Sequence, residues 1–297
     1  MSRYICVDIG GTSIKHGVLN ENAIIEESNQ TKTEAWLGGA EVLDKVKAIG
    51  KQYMEQYENI EGICISTAGM VDPEEGKIVF AGELMPDYTG TCIKKELEKT
   101  LGIPCEVEND VNCAGLAEYI SGAAKESHIM FCATVGTGIG GCAIVDGSVF
   151  HGASNSACEI GYIPMEDSDF QTLGASSILI KKVAGKKREP LDMWDGKKIF
   201  ELAEKGDEVC ISAIKEMCDV LGKGLATICY VLNPDIIVLG GGVMAQKKIL
   251  ENEIIDSLKR YLKPILAEHL QVCFAEYGNE AGMVGALYNF QNKCGRK

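Results

Sequence analysis

No apolar run in the sequence approaches the roughly 18–20 residues that a membrane-spanning helix requires, so no membrane association is expected. Positive charge is also scarce. Lys and Arg number 29 against 43 Asp and Glu, a formal net charge of −14. Nucleic-acid binders draw most of their affinity from neutralised phosphates, so no nucleic-acid partner is expected. The one basic cluster, Lys181-Lys182 with Lys186-Lys187-Arg188, reads as a solvated helix face and loop. Any anionic ligand must then be held locally, by backbone amides, a lysine and a metal ion. Paired cysteines are missing too. There are 13 cysteines but no C-x-x-C pair, which excludes the usual zinc, iron–sulfur and redox spacings. Cys6, Cys64, Cys132, Cys142 and Cys229 lie among Ile, Val, Phe and Ala, as small hydrophobes do. The opening Met1-Ser2-Arg3-Tyr4-Ile5-Cys6-Val7-Asp8 sets an acid where a signal peptide needs its apolar core. A cytoplasmic protein with reduced thiols is the expectation. Histidines are few, and His16, His128, His151 and His269 include no two at ligand spacing.

What is present is ordinary globular composition, 46% hydrophobic and 24% charged, over 297 residues, a length that suits two domains. The chain opens as strand, glycine turn, strand: residues 4–9, Gly10-Gly11-Thr12-Ser13, then 14–19. A third strand is expected near 23–27, a helix near 39–57, a strand at 60–67 ending in Ala68-Gly69, and a helix at 92–101. A short strand at 105–108 then meets a helix at 111–121 through Asn109-Asp110, a position suited to an N-cap. After Gly122 the opening pattern recurs: a strand at 128–135, Gly136-Thr137-Gly138, and a strand at 140–145. Two lobes built on one plan are expected, divided as residues 1–121 with a returning helix at 280–292, and residues 122–279. The second half is mostly helical at 176–184, 197–202 and 208–232, with a buried strand at 236–239 running into Gly240-Gly241-Gly242.

Asp8-x-Gly10-Gly11-Thr12-x-x-Lys15 puts a carboxylate at a strand end and free backbone amides in the turn beyond it. Such a turn can receive phosphate oxygens, and the carboxylate can hold a hydrated Mg²⁺ that bridges nucleotide phosphates. The plain alternative is a glycine-rich hairpin turn. Thr134-x-Gly136-Thr137-Gly138-x-Gly140-Gly141 is a second such turn, followed by the apolar strand Cys142-Ala143-Ile144-Val145. A dinucleotide site needs a helix directly after the glycines, so that reading fails here.

These motifs, in order with Glu108-Asn109-Asp110-Val111-Asn112, Glu159-Ile160-Gly161 and Leu232-Asn233-Pro234-Asp235, resemble the ROK family of sugar kinases and sugar-responsive repressors over nearly the whole chain. The resemblance implies an α/β fold of two ribonuclease-H-like, actin/hexokinase-type lobes with an interlobe cleft. It also implies ATP and Mg²⁺ as cofactors, a small-molecule sugar as substrate, and a homodimer. Asp110 becomes the catalytic base, beside its plainer role as a helix N-cap. Gly69, Asn109, Glu159, Tyr162 and His151 become sugar-side candidates. Asp8 (through water to Mg²⁺), Gly10, Gly11, Thr12, Lys15, Thr134, Gly136, Thr137, Gly138, Gly241 and Gly242 become the nucleotide side. The helix holding Asn279-Glu280-Ala281-Gly282 is expected to border the nucleotide and pack back on the first lobe.

Many members of the family continue Glu-x-Gly with a histidine that binds sugar and joins three cysteines around zinc. Here that position is Tyr162, and the stretch Phe170 to Ser177 has no cysteine, so no zinc site is expected. Losing the histidine removes a contact on the reducing-end side of the sugar, which favours a β-glucoside acceptor phosphorylated at its 6-hydroxyl. Glucose or N-acetylmannosamine are the alternative acceptors, and a non-catalytic sugar sensor is the alternative of another kind. A repressor needs a helix-turn-helix segment ahead of Asp8, for which seven residues leave no room.

Overall fold

The computed structural model describes residues 1–295, which divide into two compact units. The first comprises Met1–Ser121, Val149–Ala157 and the chain from Asn279 onward. The second comprises Gly122–Ser148 and Cys158–Gly278. The sequence division places residues 149–157 and Asn279 in the second lobe, whereas both group with the first.

In the first unit, β1 (Arg3–Ile9) pairs antiparallel with β2 (Ser13–Asn20), and β2 pairs with β3 (Ile25–Lys32). On its other side β1 runs parallel to α1-connected β4, with α1 at Gly39–Gln56 and β4 at Ile60–Thr67. A small hairpin, β5 (Met70–Asp72) and β6 (Lys77–Phe80), precedes α2 (Ile93–Leu101). Then β7 (Cys105–Asn109) joins β4 in parallel and runs straight into α3 (Asp110–Ser121). The sheet order is β3-β2-β1-β4-β7. Ile5, Val7, Ile63, Ile65 and Val107 are fully buried, as strands covered on both faces demand. Helix α1 buries Val42, Val46, Ile49 and Tyr53, a stripe of helical period facing the sheet. The C-terminal helix, Ala281–Lys293, buries Met283, Val284, Ala286, Leu287 and Phe290 in this unit.

The third strand lies later than its sequence pattern suggests. Asn20 Oδ1 accepts the amides of Asn22 (2.9 Å) and Ile24 (3.1 Å), closing a turn that holds Ala23 at φ 59°. β3 itself, Ile-Glu-Glu-Ser-Asn-Gln-Thr-Lys, is an edge strand with a mostly exposed face, so it offers no apolar period to read.

The second unit repeats the plan. β8 (Ile129–Val135) and β9 (Ile139–Val145) form a hairpin, and β10 (Ser148–Val149) extends it. A two-stranded ribbon, β11 (Pro164–Met165) and β12 (Ser168–Asp169), leads to α4 (Phe170–Gly174), α5 (Ser176–Lys187), α6 (Gly196–Glu204) and the long α7 (Glu208–Leu232). Then come β13 (Ile236–Gly240), α8 (Lys247–Tyr261), the short α9 (Pro264–Ala267) and β14 (Gln271–Phe274). The order β10-β9-β8-β13-β14 matches that of the first sheet, strand for strand. Phe131, Phe170, Phe200, Met217, Leu221, Leu225 and Leu239 form its core.

All thirteen cysteines are unbridged, and the five flagged by the sequence, Cys6, Cys64, Cys132, Cys142 and Cys229, are buried. Among the described residues no helix is long and apolar enough to cross a membrane.

Candidate functional site

In the first unit the chemistry gathers where β1, β4 and β7 end. Asp8 lies second from the end of β1, opposite Lys15 on β2 and Ser66 on β4. Ser66 Oγ donates to Asp8 Oδ1 at 2.7 Å, and Lys15 Nζ lies 3.8 Å from Oδ2. Lys15 Nζ also donates to the carbonyl of Asn279 at 3.1 Å. Burial pushes the Asp8 carboxyl up from its ordinary value, against the opposing pull of Ser66 and Lys15. Gly282 is what lets the C-terminal helix approach so closely. A β-carbon there would stand 2.5 Å from Asp8 Cγ and 2.6 Å from Oδ1. Beyond Asp8 the turn is pinned from beneath: the Gly10 amide donates to Ser13 O (3.0 Å), Thr33 Oγ1 donates to Gly10 O (2.6 Å), and the Thr33 amide to Thr12 O (3.1 Å). Gly11 and Thr12 are exposed, and a β-carbon on Gly11 would meet nothing within 4 Å.

At the end of β7, Asn109 is the residue that caps α3. Its Oδ1 accepts the amides of Val111 (2.9 Å) and Asn112 (3.1 Å), while its Nδ2 donates to Gly69 O (2.9 Å) and to Asp110 Oδ1 (3.0 Å). Asp110 is therefore the first helical residue and not the N-cap that its plain sequence reading suggests. One of its oxygens, Oδ1, also accepts the Val111 amide at 2.9 Å. Gly69 has φ +99°, and a β-carbon there would press on Phe80 O at 2.9 Å, so the turn after β4 requires glycine. Gly69, Asn109 and Asp110 are thus brought together by hydrogen bonds.

Glu108, which precedes them, is only 1% exposed. Its Oε1 accepts the Asn109 amide (2.8 Å) and Asn112 Nδ2 (2.9 Å), and its Oε2 faces His151 Nε2 at 2.8 Å. The sequence marked His151 as a pocket-lining candidate; the structure occupies its Nε2 with Glu108. Glu108 was quoted in the motif but not weighed as a site residue, because nothing in the sequence links it to a partner 43 positions away. Cys113, fully buried on α3, has its thiol pKa raised first by burial and then by Glu108 and Asp8, with Asp110 adding less.

In the second unit the counterpart turn is held from one side by α5. Ser176 donates to Gly136 O through both its amide (3.0 Å) and its hydroxyl (2.6 Å), and Ser177 Oγ donates to Thr137 O (2.7 Å). Gly136 N donates to Gly138 O at 2.9 Å, closing the turn. Gly138 and Gly161 both abut Gln171: β-carbons on them would stand 2.7 and 3.0 Å from its Oε1. These three polar residues, Ser176, Ser177 and Gln171, escaped the sequence reading, although two hydroxyls opening a helix are a legible capping signal. Thr134 pairs with Gly140 on β9 and with Gly240 on β13. Gly241 follows at φ +94°, with Val135 O only 2.3 Å from where a β-carbon would sit, while Gly242 is open. Glu159 is half-buried, and that burial pushes its carboxyl up. Tyr162, three residues on, ends a single helical turn with 56% of its surface exposed. Among the described residues no group of three or more His, Cys, Asp or Glu is arranged to hold a metal ion unaided.

The first unit thus carries a carboxylate at a strand-to-helix junction and a second beside an open glycine turn, and the second unit carries a glycine turn of its own. The ROK family profile matches residues 4–293. The chain belongs to the ROK family. A β-glucoside kinase from Klebsiella pneumoniae is 31% identical over 293 residues, covering 95% of this chain and 94% of its own. The crystal structure of a ROK family glucokinase from Streptomyces griseus, in complex with glucose and AMPPNP, superposes with a TM-score of 0.84 at 28% identity, over 97% of this chain and 98% of its own. A ROK family protein from Streptococcus pneumoniae in complex with sucrose gives a TM-score of 0.86 at 27% identity, over 99% of this chain and all (100%) of its own. The relatives named for an activity are sugar kinases, and the fold is the actin/hexokinase-like α/β architecture of two repeated lobes.

Proposed function

We propose that the protein is an ATP-dependent sugar kinase whose acceptor is the 6-hydroxyl of a glucose unit, with a β-glucoside preferred to the free hexose. The observation that carries the reading is the junction of β7 and α3, where Asn109 ties Asp110 to Gly69 through its own side chain. Asp110 then takes the proton of the attacking hydroxyl. The sugar oxygen forms a bond to the γ-phosphorus as the bond to the β-phosphate bridging oxygen breaks, and ADP leaves. A positioned general base contributes about 10²–10⁴-fold to such a step. Asn109 and Glu159 supply hydrogen bonds suited to vicinal hydroxyls, and Gly69, with no side chain, lets a ring approach the backbone. The turns at Gly10-Gly11-Thr12 and Gly136-Thr137-Gly138 receive phosphate oxygens, with Lys15 adding charge, and Gly241-Gly242 bounds the nucleoside.

The residues fit Mg²⁺ held through water. Asp8 is buried, fixed at one oxygen by Ser66 and short of compensating charge, with the Lys15 ammonium 3.8 Å from its other oxygen. When bound with the nucleotide, the ion neutralises charge on the transferring phosphates. The preference for a glycoside rests on Tyr162, an exposed tyrosine where zinc-binding members have histidine, and is supported by the likeness to a β-glucoside kinase and to a family member in complex with sucrose. We further propose a cytoplasmic homodimer that lacks structural zinc.

The test is ADP release with Mg·ATP against glucose, mannose, N-acetylmannosamine, fructose, cellobiose and aryl β-glucosides, with Asp110→Asn alongside. Asparagine keeps an oxygen for the Val111 amide and the Asn109 side chain, so the variant is expected to fold and bind sugar while turnover falls about 10²–10⁴-fold. Sugar binding without turnover in the unmutated protein would replace the kinase reading with a sensor.

A further inference from the structure

Val149–Ala157 leaves the second unit after Ser148 and rejoins it at Cys158, next to Glu159, yet it belongs to the first unit. It is a small closed loop. The Ala157 amide donates to His151 O at 3.1 Å, and Gly152 stands at φ +72° against Ala157. What reaches inward from it is His151, whose Nε2 lies 2.8 Å from Glu108 Oε2. Glu108 is the most buried acid at the strand ends, and its other oxygen already holds the Asn109 amide and the Asn112 side chain. One carboxylate therefore touches both the backbone that carries the base and the loop that carries the chain to Glu159. A buried acceptor left without a donor is costly, so the His151 contact helps to hold Glu108 where its other oxygen meets Asn109 and Asn112.

We propose that Glu108 and His151 form a positioning clasp: His151 is not a sugar ligand but hydrogen-bonds Glu108, which then fixes Asn109-Asp110 and fastens the Val149–Ala157 loop to the first unit. The bond runs from His151 Nε2–H to Glu108 Oε2. This rests on Asp110 being the base, as proposed above, but the clasp itself is a structural claim that can be tested without turnover.

The experiment compares His151→Leu, which keeps bulk and removes the donor, with His151→Gln, whose carboxamide N–H can still reach Glu108. Hydrogen exchange is followed on peptides covering residues 149–157, and steady-state kinetics are measured for sugar and ATP. In the leucine variant, exchange of the loop amides is expected to quicken about tenfold or more, with the β1–β2 hairpin unchanged. The same variant is expected to lose about tenfold or more in kcat, with KM for ATP little moved, because the base is displaced and not removed. The glutamine variant is expected to restore both. Glu108→Gln, which retains an oxygen for Asn109 and Asn112 and weakens only the link to His151, is expected to loosen the loop in part, and serves as the reading if His151→Leu does not fold. Unchanged loop exchange in His151→Leu overturns the clasp. So does a rise in sugar KM with kcat intact, which would make His151 a ligand. If the unmutated protein turns over no sugar, the kinase reading fails while the exchange result still decides the clasp.

Discussion

Two glycines on one helix should separate activity from stability. Gly282 and Gly285 lie one turn apart on the C-terminal helix, and alanine at either one improves helix propensity by about 1 kcal/mol. The costs differ in kind. At Gly285 the new β-carbon meets the backbone of α3, 1.7 Å from Cys113 O and 2.4 Å from its carbonyl carbon. Backbone within a helix cannot yield alone, so the two helices must part. The loss is expected at or beyond the upper end of the about 1–3 kcal/mol typical of overpacking. At Gly282 the β-carbon meets only a side chain, the Asp8 carboxylate, with Cγ at 2.5 Å and the two oxygens at 2.6 and 2.8 Å. Asp8 can swing away at the cost of its 2.7 Å bond from Ser66, worth about 1.5–3 kcal/mol for a charged acceptor, and the swing relieves part of its burial. Set against the propensity gain, Gly282→Ala should cost no more than about 2 kcal/mol in urea unfolding. Turnover should nevertheless fall by about tenfold or more, with a raised Mg²⁺ requirement, because the carboxylate no longer points where the turn needs it. Unfolding curves and Mg²⁺ titrations of the two variants form the assay. Wild-type kcat and Mg²⁺ dependence in Gly282→Ala would refute the assignment of Asp8 to the nucleotide side.

Asp8→Asn keeps an oxygen for Ser66 but removes a buried charge. Burial raises the folded-state pKa of Asp8, so its ionised form opposes folding at neutral pH, and that penalty vanishes once pH falls below the unfolded carboxyl range. The variant should therefore match or exceed the wild type in stability at pH 7, with the gap closing in acid, while losing activity; a less stable variant at pH 7 contradicts the burial argument. Gly241→Ala forces a β-carbon to 2.3 Å from Val135 O at φ +94°, so a loss of about 1–3 kcal/mol is expected from backbone strain, with further loss from the clash, measurable by urea unfolding, and ATP analogue binding should weaken with it.

The strands that form the sheet centres could be read because burial on both faces leaves short unbroken apolar runs. Ile60–Thr67 and the helix Glu208–Leu232 appear where the sequence puts them, the latter ended by Asn233 in the left-handed region before Pro234. Helix α8 carried a legible stripe, Leu250, Ile254 and Leu258, all buried, but its charged remainder hid it. β14 could not be read, because only Phe274 of its four residues is buried. At the site, residues adjacent in sequence were found together: Asn109 with Asp110, and Asp8 with its own hairpin. The links that fix their geometry join distant segments. Ser66 to Asp8 spans 58 positions and Asn109 to Gly69 spans 40, and periodicity has no means to report either.

The repeated topology lets the two units be compared strand by strand. In each, a glycine at positive φ follows the second parallel strand, Gly69 at φ +99° two residues beyond β4 and Gly241 at φ +94° directly after β13. What differs is the outermost parallel strand that follows. β7 runs directly into a helix through Asn109-Asp110, so the cap and the base occupy consecutive positions with no loop to blur them. β14 instead leaves through residues 275–280 before the C-terminal helix begins at Ala281, and that helix packs in the first unit. At the β7–α3 junction, by contrast, Asp110 Oδ1 is held by the Asn109 side chain and the Val111 amide. The proposed base, Asp110, stands at the junction that fixes its carboxylate, whereas the proposed phosphate turns call only for backbone amides and room.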